Sequence, residues 1–415
     1  MEAMKNLLLR GMPTLMSLLI GLLIMETTLR LFPSLISVPL LSNFPAQLRH
    51  HIAGRLNYVS ANDYVIPTDQ RFDHGPPFYM AGPNSTGRSV SDPADLAAGA
   101  IETARLDAKG FCNPPAKAER PSVDVVVLGD SFVYCTGVEA TDTSTSYLEE
   151  ISHLTTYNMG VSRIGLYEYV ELLRHFGLAL KPRVVILNIY EGNDLRDAIR
   201  YQKFLESGRD GRAAENAIED TLSYSYALSF VYASSEWLLH DQIMWLLDSD
   251  RNTNYRYTAR SQAASIPLNV TNRDRGEVRL AKSLKDGEVS LELWARPLAA
   301  FKDLAASHGF IGIVSYTPSM HTAYADTAVF EDPTSGELVR IMSQMQRDWL
   351  TKKSAQLGLI YIDLTPALQK AANEGPLTHF PANVHLTPYG HRVSATEWAS
   401  AVAKALGATA TNKSE

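Results

Sequence analysis

The stretch that most constrains the fold is an aliphatic run at 123–128, VDVVVL, followed directly by Gly129-Asp130-Ser131. A continuous aliphatic run is typical of a parallel strand buried on both faces, and open α/β sheets carry their chemistry at the carboxyl ends of such strands. The glycine permits a tight turn, and a serine behind it can present its hydroxyl to a cleft. The run therefore predicts an α/β domain with Ser131 as a candidate nucleophile.

Alternating strands and helices are predicted from here toward the carboxyl terminus. Further strands are predicted from apolar runs at 155–158, 184–189, 310–316 and 359–363. Helices are predicted from a 3.6-residue period at 164–180, 291–307, 337–356 and 389–406. Strands separated by helices pair in parallel through right-handed crossovers. We therefore expect a three-layer α/β/α sandwich around a mainly parallel five-stranded sheet.

The amino terminus has a different character. Residues 11–32 are mostly apolar and about as long as a membrane-spanning helix, with Glu26 and Arg30 spaced to pair near one end. Lys5 and Arg10 favour a short cytoplasmic tail at 1–10, which would place the rest of the protein on the periplasmic or extracellular side of the cytoplasmic membrane. We expect a single-pass, uncleaved transmembrane anchor. A cleaved signal peptide and a soluble amphipathic helix are the alternatives.

Four further segments complete the predicted organisation. Residues 33–120 are rich in Pro, Gly, Asn, Asp and Ser and predict an irregular stem that packs on the core. The α/β domain is predicted at 121–407, interrupted at about 197–287 by a helical insertion that would cap the carboxyl edge of the sheet. A disordered tail is expected at 408–415.

Three other segments supply groups that a serine nucleophile needs. Gly160 and Asn193 follow the second and third predicted strands, where a backbone N–H and a side-chain amide can donate to a developing oxyanion. His385 precedes the last helix and would be the general base that takes the Ser131 proton.

The order Gly-Asp-Ser, Gly, Gly-x-Asn-Asp and a late His resembles the SGNH hydrolase superfamily, also called GDSL esterases, and in particular its bacterial membrane-anchored members. The resemblance covers about 123–406. It implies a flavodoxin-like sheet, Ser131 and His385 as catalytic residues, and an oxyanion hole made by Ser131, Gly160 and Asn193. It implies no cofactor, and the sequence shows no cluster with metal-ligand spacing.

The chain departs from this family at the acidic residue that usually precedes the histidine, where Asn383 stands instead. Asn383 could orient the imidazole through its side-chain oxygen, or a backbone carbonyl could do so and leave a Ser-His dyad. Reduced or absent activity is therefore one expectation. The predicted function is an esterase acting on small acyl esters, such as O-acetyl groups on cell-envelope polysaccharide. A glycan O-acyltransferase and an inactive glycan-binding or assembly factor are the alternatives.

The two cysteines, Cys112 and Cys135, could form one disulfide in an exported domain, or remain two buried thiols. The formal net charge of −7 and the lack of a basic stripe argue against nucleic acid as a partner. The expected partners are an acylated carbohydrate or other ester substrate and, through the amino-terminal helix, the lipid bilayer. The sequence does not indicate an oligomeric state.

Overall fold

The computed structural model describes residues 2–36, 93–162, 164–206, 224–236, 257–261, 267–270 and 275–411, with short pieces at 44–45, 48, 51–52, 55, 64–66, 78–80, 84 and 86–88. The chain divides into two compact units. The first comprises Met1–Asp63 and Ser207–Asn252, and the second comprises Tyr64–Glu206 and Thr253–Glu415.

The helices and strands are numbered in chain order. The helices are α1 Glu2–Leu31, α2 Pro93–Ala97, α3 Pro115–Ala118, α4 Ser144–Ser152, α5 Leu166–Leu172, α6 Asp194–Glu206, α7 Tyr226–Glu236, α8 Arg275–Lys285, α9 Ala295–His308, α10 Met320–Ala323, α11 Pro333–Leu357, α12 Thr365–Glu374 and α13 Pro388–Thr411. The strands are β1 Tyr64–Ile66, β2 Phe78–Met80, β3 Thr86–Arg88, β4 Thr103–Arg105, β5 Val125–Gly129, β6 Thr156–Gly160, β7 Val184–Tyr190, β8 Tyr257–Arg260, β9 Pro267–Val270, β10 Ile311–Thr317, β11 Val329–Phe330 and β12 Ile360–Asp363.

The second unit is built on a five-stranded sheet in the order β12-β10-β7-β5-β6. All four strand pairs are parallel. The prediction of an α/β fold with a mainly parallel five-stranded sheet is confirmed. The order is the flavodoxin-like one, in which the chain reverses direction across the sheet between β5 and β7. The crevice outside the carboxyl ends of these two strands is therefore the expected place for a site.

Alternate residues of the strands enter two separate apolar cores, one on each face of the sheet. On one face, Val126 and Leu187 pack in a cluster that also contains residues of α5, α9 and α11. On the other face, Val127 and Ile186 pack in a cluster with residues of α4, α12 and α13. Burying a Val or Leu side chain contributes about 1.5–3 kcal/mol each, so the two cores hold the three layers together.

The first unit brings α1 and α7 together. The Glu26 carboxylate accepts hydrogen bonds from the Ala227 N–H and the Ser225 hydroxyl, both at 2.8 Å, and so caps the amino terminus of α7. Arg30 pairs with Glu26 and donates to the Tyr224 carbonyl at 2.9 Å. The two charges predicted to lie at a membrane interface therefore make structural contacts with a second helix.

The predicted transmembrane anchor at 11–32 is not supported. Its residues do form part of one long helix, α1. Of the helices in the part of the chain that the structure describes, none is at once long enough and apolar enough to cross a bilayer. Lys5, Arg10, Glu26 and Arg30 all lie within α1 and lower its mean hydropathy.

Other predicted boundaries differ in detail. The amino-terminal tail expected at 1–10 is helical from Glu2, and α13 continues to Thr411, into the tail expected at 408–415. Residues 412–415 lie outside the described part of the chain. The predicted stem contains the short strands β1–β4 and the helices α2 and α3, and β1 pairs with β2 and β3 with β4. The predicted cap is shared between the units: α7 belongs to the first, while β8, β9 and α8 belong to the second.

Candidate active site

Ser131 and His385, which lie 254 positions apart in the sequence, meet at the carboxyl edge of the sheet. The Ser131 hydroxyl and the His385 Nε2 are 2.8 Å apart. Ser131 occupies the first turn after β5, and that turn is closed by hydrogen bonds from the Val133 and Tyr134 N–H groups to the Asp130 carbonyl. A serine at this distance from an imidazole nitrogen can transfer its proton directly to it.

The loop before α13 fixes the imidazole from behind. The His385 Nδ1 lies 2.8 Å from the backbone carbonyl of Asn383, and the His385 N–H donates to the Asn383 side-chain oxygen at 2.9 Å. A proton on Nδ1 donates to that carbonyl, so Nε2 is left as the acceptor that faces Ser131. Asn383 thus orients the ring through its main chain, which was one of the two possibilities left open by the sequence.

Backbone strain accompanies this arrangement. Val384, between Asn383 and His385, has a φ of 61°. A β-branched residue in the left-handed region costs of the order of 1–3 kcal/mol and persists only where surrounding contacts impose it. The strain lies at the residue that lets the Asn383 carbonyl turn back toward the His385 ring.

Gly160 is placed at the site, but its N–H points elsewhere. The Gly160 N–H donates to the Asn158 side-chain oxygen at 2.8 Å, so the predicted oxyanion donor is committed to a structural bond. The glycine is required for a different reason. A Cβ at this position would lie 2.3 Å from the Tyr134 nitrogen and 2.6 Å from the Val133 carbonyl carbon. The absence of a side chain allows β6 to approach the turn that carries Ser131.

The Asn193 side chain is also engaged. Its amide donates to Asp197 at 2.8 Å and makes a second hydrogen bond to Asp130. The Ser131 N–H has no hydrogen-bond partner among the described residues. Of the three predicted oxyanion donors, the Ser131 N–H is therefore the one that the structure leaves available among the described residues. The Asn193 amide could donate to an oxyanion only by giving up its hydrogen bond to the Asp197 carboxylate.

Buried carboxyl groups lie close to the Asn193 side chain. The pKa of Asp130 is raised to about 7, chiefly by burial and also by nearby Asp197, against the lowering effect of its hydrogen bonds from Phe132 and Asn193. Burial and the neighbouring Asp130 also raise the pKa of Asp194, which accepts from the Tyr190 N–H and the Tyr169 hydroxyl. Asp194 organises the loop after β7.

Aromatic rings line the other side of the Ser-His pair. Phe132 stacks on Tyr190 with ring centroids 3.7 Å apart, and its ring centroid lies 4.9 Å from that of His385. Phe132 follows the nucleophile and Tyr190 ends β7, so the stack joins the ends of the two strands at which the sheet order reverses. These apolar faces restrict water on one side of the imidazole.

The stem is fastened to the nucleophile turn by covalent and polar contacts. The structure contains a disulfide between Cys112 and Cys135, whose Cα atoms are 6.0 Å apart. Next to it, the Asn113 amide donates to the Asn158 carbonyl, and the Asn158 amide donates to the Val133 carbonyl at 2.7 Å. These contacts define the position of the turn that presents Ser131.

Sequence reasoning missed two residues that shape the site. Asn158 is adjacent to the Gly160 motif and bonds to the Val133 carbonyl and the Gly160 N–H; its place at a strand end was a usable signal. Asp95, in the stem, accepts from the Ala382 N–H, and 287 positions separate the two residues. No local pattern in the sequence could have indicated that pairing.

No group of three or more His, Cys, Asp or Glu side chains suited to hold a metal ion occurs among the described residues.

Comparison with known proteins gives similarity at the level of solved structures. No family model matches the chain, and no curated protein matches it. The similar solved structures include a lipolytic protein of the G-D-S-L family from Desulfitobacterium hafniense, at 14% identity and a TM-score of 0.36, covering 67% of this chain and 98% of the other. A GDSL-like lipase from Parabacteroides merdae has 13% identity and a TM-score of 0.35, covering 68% of this chain and 97% of the other. A catalytic mutant of an acetylxylan esterase from Geobacillus stearothermophilus has 13% identity and a TM-score of 0.35, covering 68% of this chain and 94% of the other. We therefore base the proposed function on the side chains of the site.

Proposed function

We propose that this chain is a serine ester hydrolase of the SGNH type that removes small acyl groups from their esters. The observation that carries the proposal is the 2.8 Å separation between the Ser131 hydroxyl and the His385 Nε2. The Asn383 carbonyl behind Nδ1 supplies the tautomer that this base requires.

The reaction follows from these contacts. His385 takes the Ser131 proton as the hydroxyl oxygen bonds to the ester carbonyl carbon, and the Ser131 N–H donates to the oxyanion that forms. His385 then protonates the leaving alkoxide, and an acyl-serine remains. Water attacks this ester with His385 again as base, which releases the carboxylic acid and restores Ser131.

The site predicts a modest rate. A backbone carbonyl orients the imidazole but carries no full negative charge, and loss of the charged partner costs about 10⁴-fold in the protease example of such a triad. Hydrogen bonds of Gly160 and Asn193 to other side chains reduce the oxyanion donors further. These two observations favour the second candidate, a homologue without hydrolase activity, for which glycan binding is the proposed role.

Envelope polysaccharide O-acetyl groups are the proposed substrates, and the proposed location of the domain is outside the cytoplasm. The disulfide supports this location, since such bonds persist in oxidising compartments. Transfer of the acyl group to a sugar hydroxyl instead of water would proceed through the same acyl-serine.

The purified full-length protein should hydrolyse 4-nitrophenyl acetate, and Ser131→Ala should reduce kcat by more than about 10³-fold because the nucleophile is lost. The matched control is Ser400→Ala, at an exposed position of α13, which should leave kcat unchanged. Turnover that survives in Ser131→Ala would refute the hydrolase. An inactive wild type that binds acetylated glycan would favour the binding factor. Formation of an acetylated sugar when a sugar acceptor is added would identify a transferase.

A further inference from the structure

We infer that Asp95, in helix α2 of the stem, is a positioning residue that holds the His385 loop in its working geometry. The inference rests on the proposed function, because it assigns to Asp95 part of the task that an acid next to the histidine performs in a serine triad. Asp95 accepts hydrogen bonds from the backbone of the His385 loop, and the position of that backbone determines the orientation of the His385 ring.

The contacts place the Asp95 carboxylate directly beneath this loop. Its Oδ1 accepts a hydrogen bond from the Ala382 N–H at 2.6 Å and a longer one from the Asn383 N–H at 3.4 Å. The Asp95 side chain is fully buried. Hydrogen bonds from N–H groups to a carboxylate are roughly twice as strong as neutral ones, and burial away from water strengthens them further.

The strained residue explains why the loop needs such a contact. Val384 is held at a φ of 61°, a conformation that a β-branched residue leaves unless other contacts impose it. Asp95 accepts from the N–H groups of Ala382 and Asn383, the two residues before Val384, and the Asn383 side chain accepts from the His385 N–H immediately after it. Between these two anchors, the Asn383 carbonyl lies 2.8 Å from the Nδ1 of the His385 ring.

The segment that carries Asp95 also contacts the other half of the site. The Ile101 N–H donates to the carbonyl of Gly137 at 2.9 Å, at the end of the turn that begins with Ser131. One short segment, 95–101, therefore holds both the loop of the base and the turn of the nucleophile. Its removal would change the distance between the two catalytic side chains while the strands below them stay in place.

The test compares Asp95→Ala, Asp95→Asn and the control Glu102→Ala in ester hydrolysis by the full-length protein. Glu102 is an exposed acidic residue that directly follows this segment, so its loss removes a neighbouring carboxyl group without touching the loop. Asp95→Ala should lower kcat by ~10- to 100-fold with KM within about twofold, because a misplaced base slows the chemical step more than binding. Asp95→Asn keeps an acceptor oxygen and should stay within about fivefold of wild type.

A second readout is independent of catalysis. In ¹⁵N-histidine-labelled protein, the hydrogen-bonded Nδ1–H of His385, assigned by its loss in His385→Gln, should persist in Asp95→Asn and disappear in Asp95→Ala. If Asp95→Ala does not fold, Asp95→Ser is measured instead, since the shorter hydroxyl does not reach Ala382. A folded Asp95→Ala or Asp95→Ser that matches Glu102→Ala in kcat and retains the Nδ1–H resonance overturns the inference. An inactive wild type whose resonance still depends on Asp95 would refute the proposed function alone.

Discussion

At the scale of single residues, two backbone positions determine the site. Gly160 removes a side chain where β6 meets the nucleophile turn, and Val384 accepts a strained φ where the His385 loop turns back. Neither residue supplies a reacting atom. Both determine where the Ser131 and His385 side chains lie. A substitution at either position should therefore change the geometry of the site.

Gly160→Ala should reduce the free energy of unfolding by about 3 kcal/mol, because the new Cβ would overlap backbone atoms of Tyr134 and Val133 that cannot rotate away. Urea unfolding followed by circular dichroism measures the change. The matched control is Gly407→Ala in α13, where a Cβ has no neighbour within 4 Å and should stabilise by up to about 1 kcal/mol. Equal stability of Gly160→Ala and wild type would show that the close approach does not exist in solution.

At the scale of secondary-structure elements, the site lies where the strand order reverses. Ser131 follows β5 and Asn193 follows β7, the neighbouring strands on either side of the reversal. The stem then adds what the sheet does not provide: a disulfide to the nucleophile turn and a carboxylate under the His385 loop. A segment rich in loop-forming residues thus forms part of the framework of the candidate site.

Replacing both Cys112 and Cys135 by alanine should lower the free energy of unfolding by about 3 kcal/mol, the chain-entropy value for a closed loop whose ends are 23 positions apart. Thermal unfolding with and without dithiothreitol provides the measurement. The reductant should lower the Tm of wild type and leave that of the double variant unchanged. A wild type that is insensitive to complete reduction would contradict this assignment of stability.

At the scale of the whole molecule, buried ionisable groups make stability depend on pH in opposing directions. Burial lowers the pKa of His379 and of His391 to about 3, with a further contribution from His385. Burial raises the pKa of Asp130 and of Glu168 to about 7. As pH falls from 6.5, the unfolded chain gains protons on the histidines and stability is lost, whereas the raised carboxyls bind protons in the folded state and oppose that loss.

His391→Gln should remove one of these contributions. The free energy of unfolding of the variant should fall less steeply between pH 6 and pH 4 than that of wild type, by about 1.4 kcal/mol per pH unit for the single proton no longer taken up on unfolding. Urea titrations at several pH values measure the slope. Ser400→Ala, a substitution of a non-ionisable side chain at an exposed position of α13, is the control and should leave the slope as it is. A steeper fall in His391→Gln would reverse the sign of the linkage.

Much of the architecture could be read directly from the sequence. Continuous aliphatic runs specify buried parallel strands, and the helical periods between them specify crossovers, so the five strands of the sheet were predicted to within about two residues. The motif at the end of the first predicted strand named Ser131, and the histidine motif before the last helix named His385. These inferences depend on local patterns, which survive without knowledge of the fold.

Tertiary structure alone decided how the site is completed. The Gly160 N–H turns to Asn158, the Asn383 carbonyl takes the place of an acid behind His385, and Asp95 reaches the loop from the stem. Each of these is a hydrogen bond whose direction depends on backbone angles or on a partner distant in sequence. Side-chain chemistry limits which groups can pair, but only the folded chain brings a given donor within 3 Å of a given acceptor.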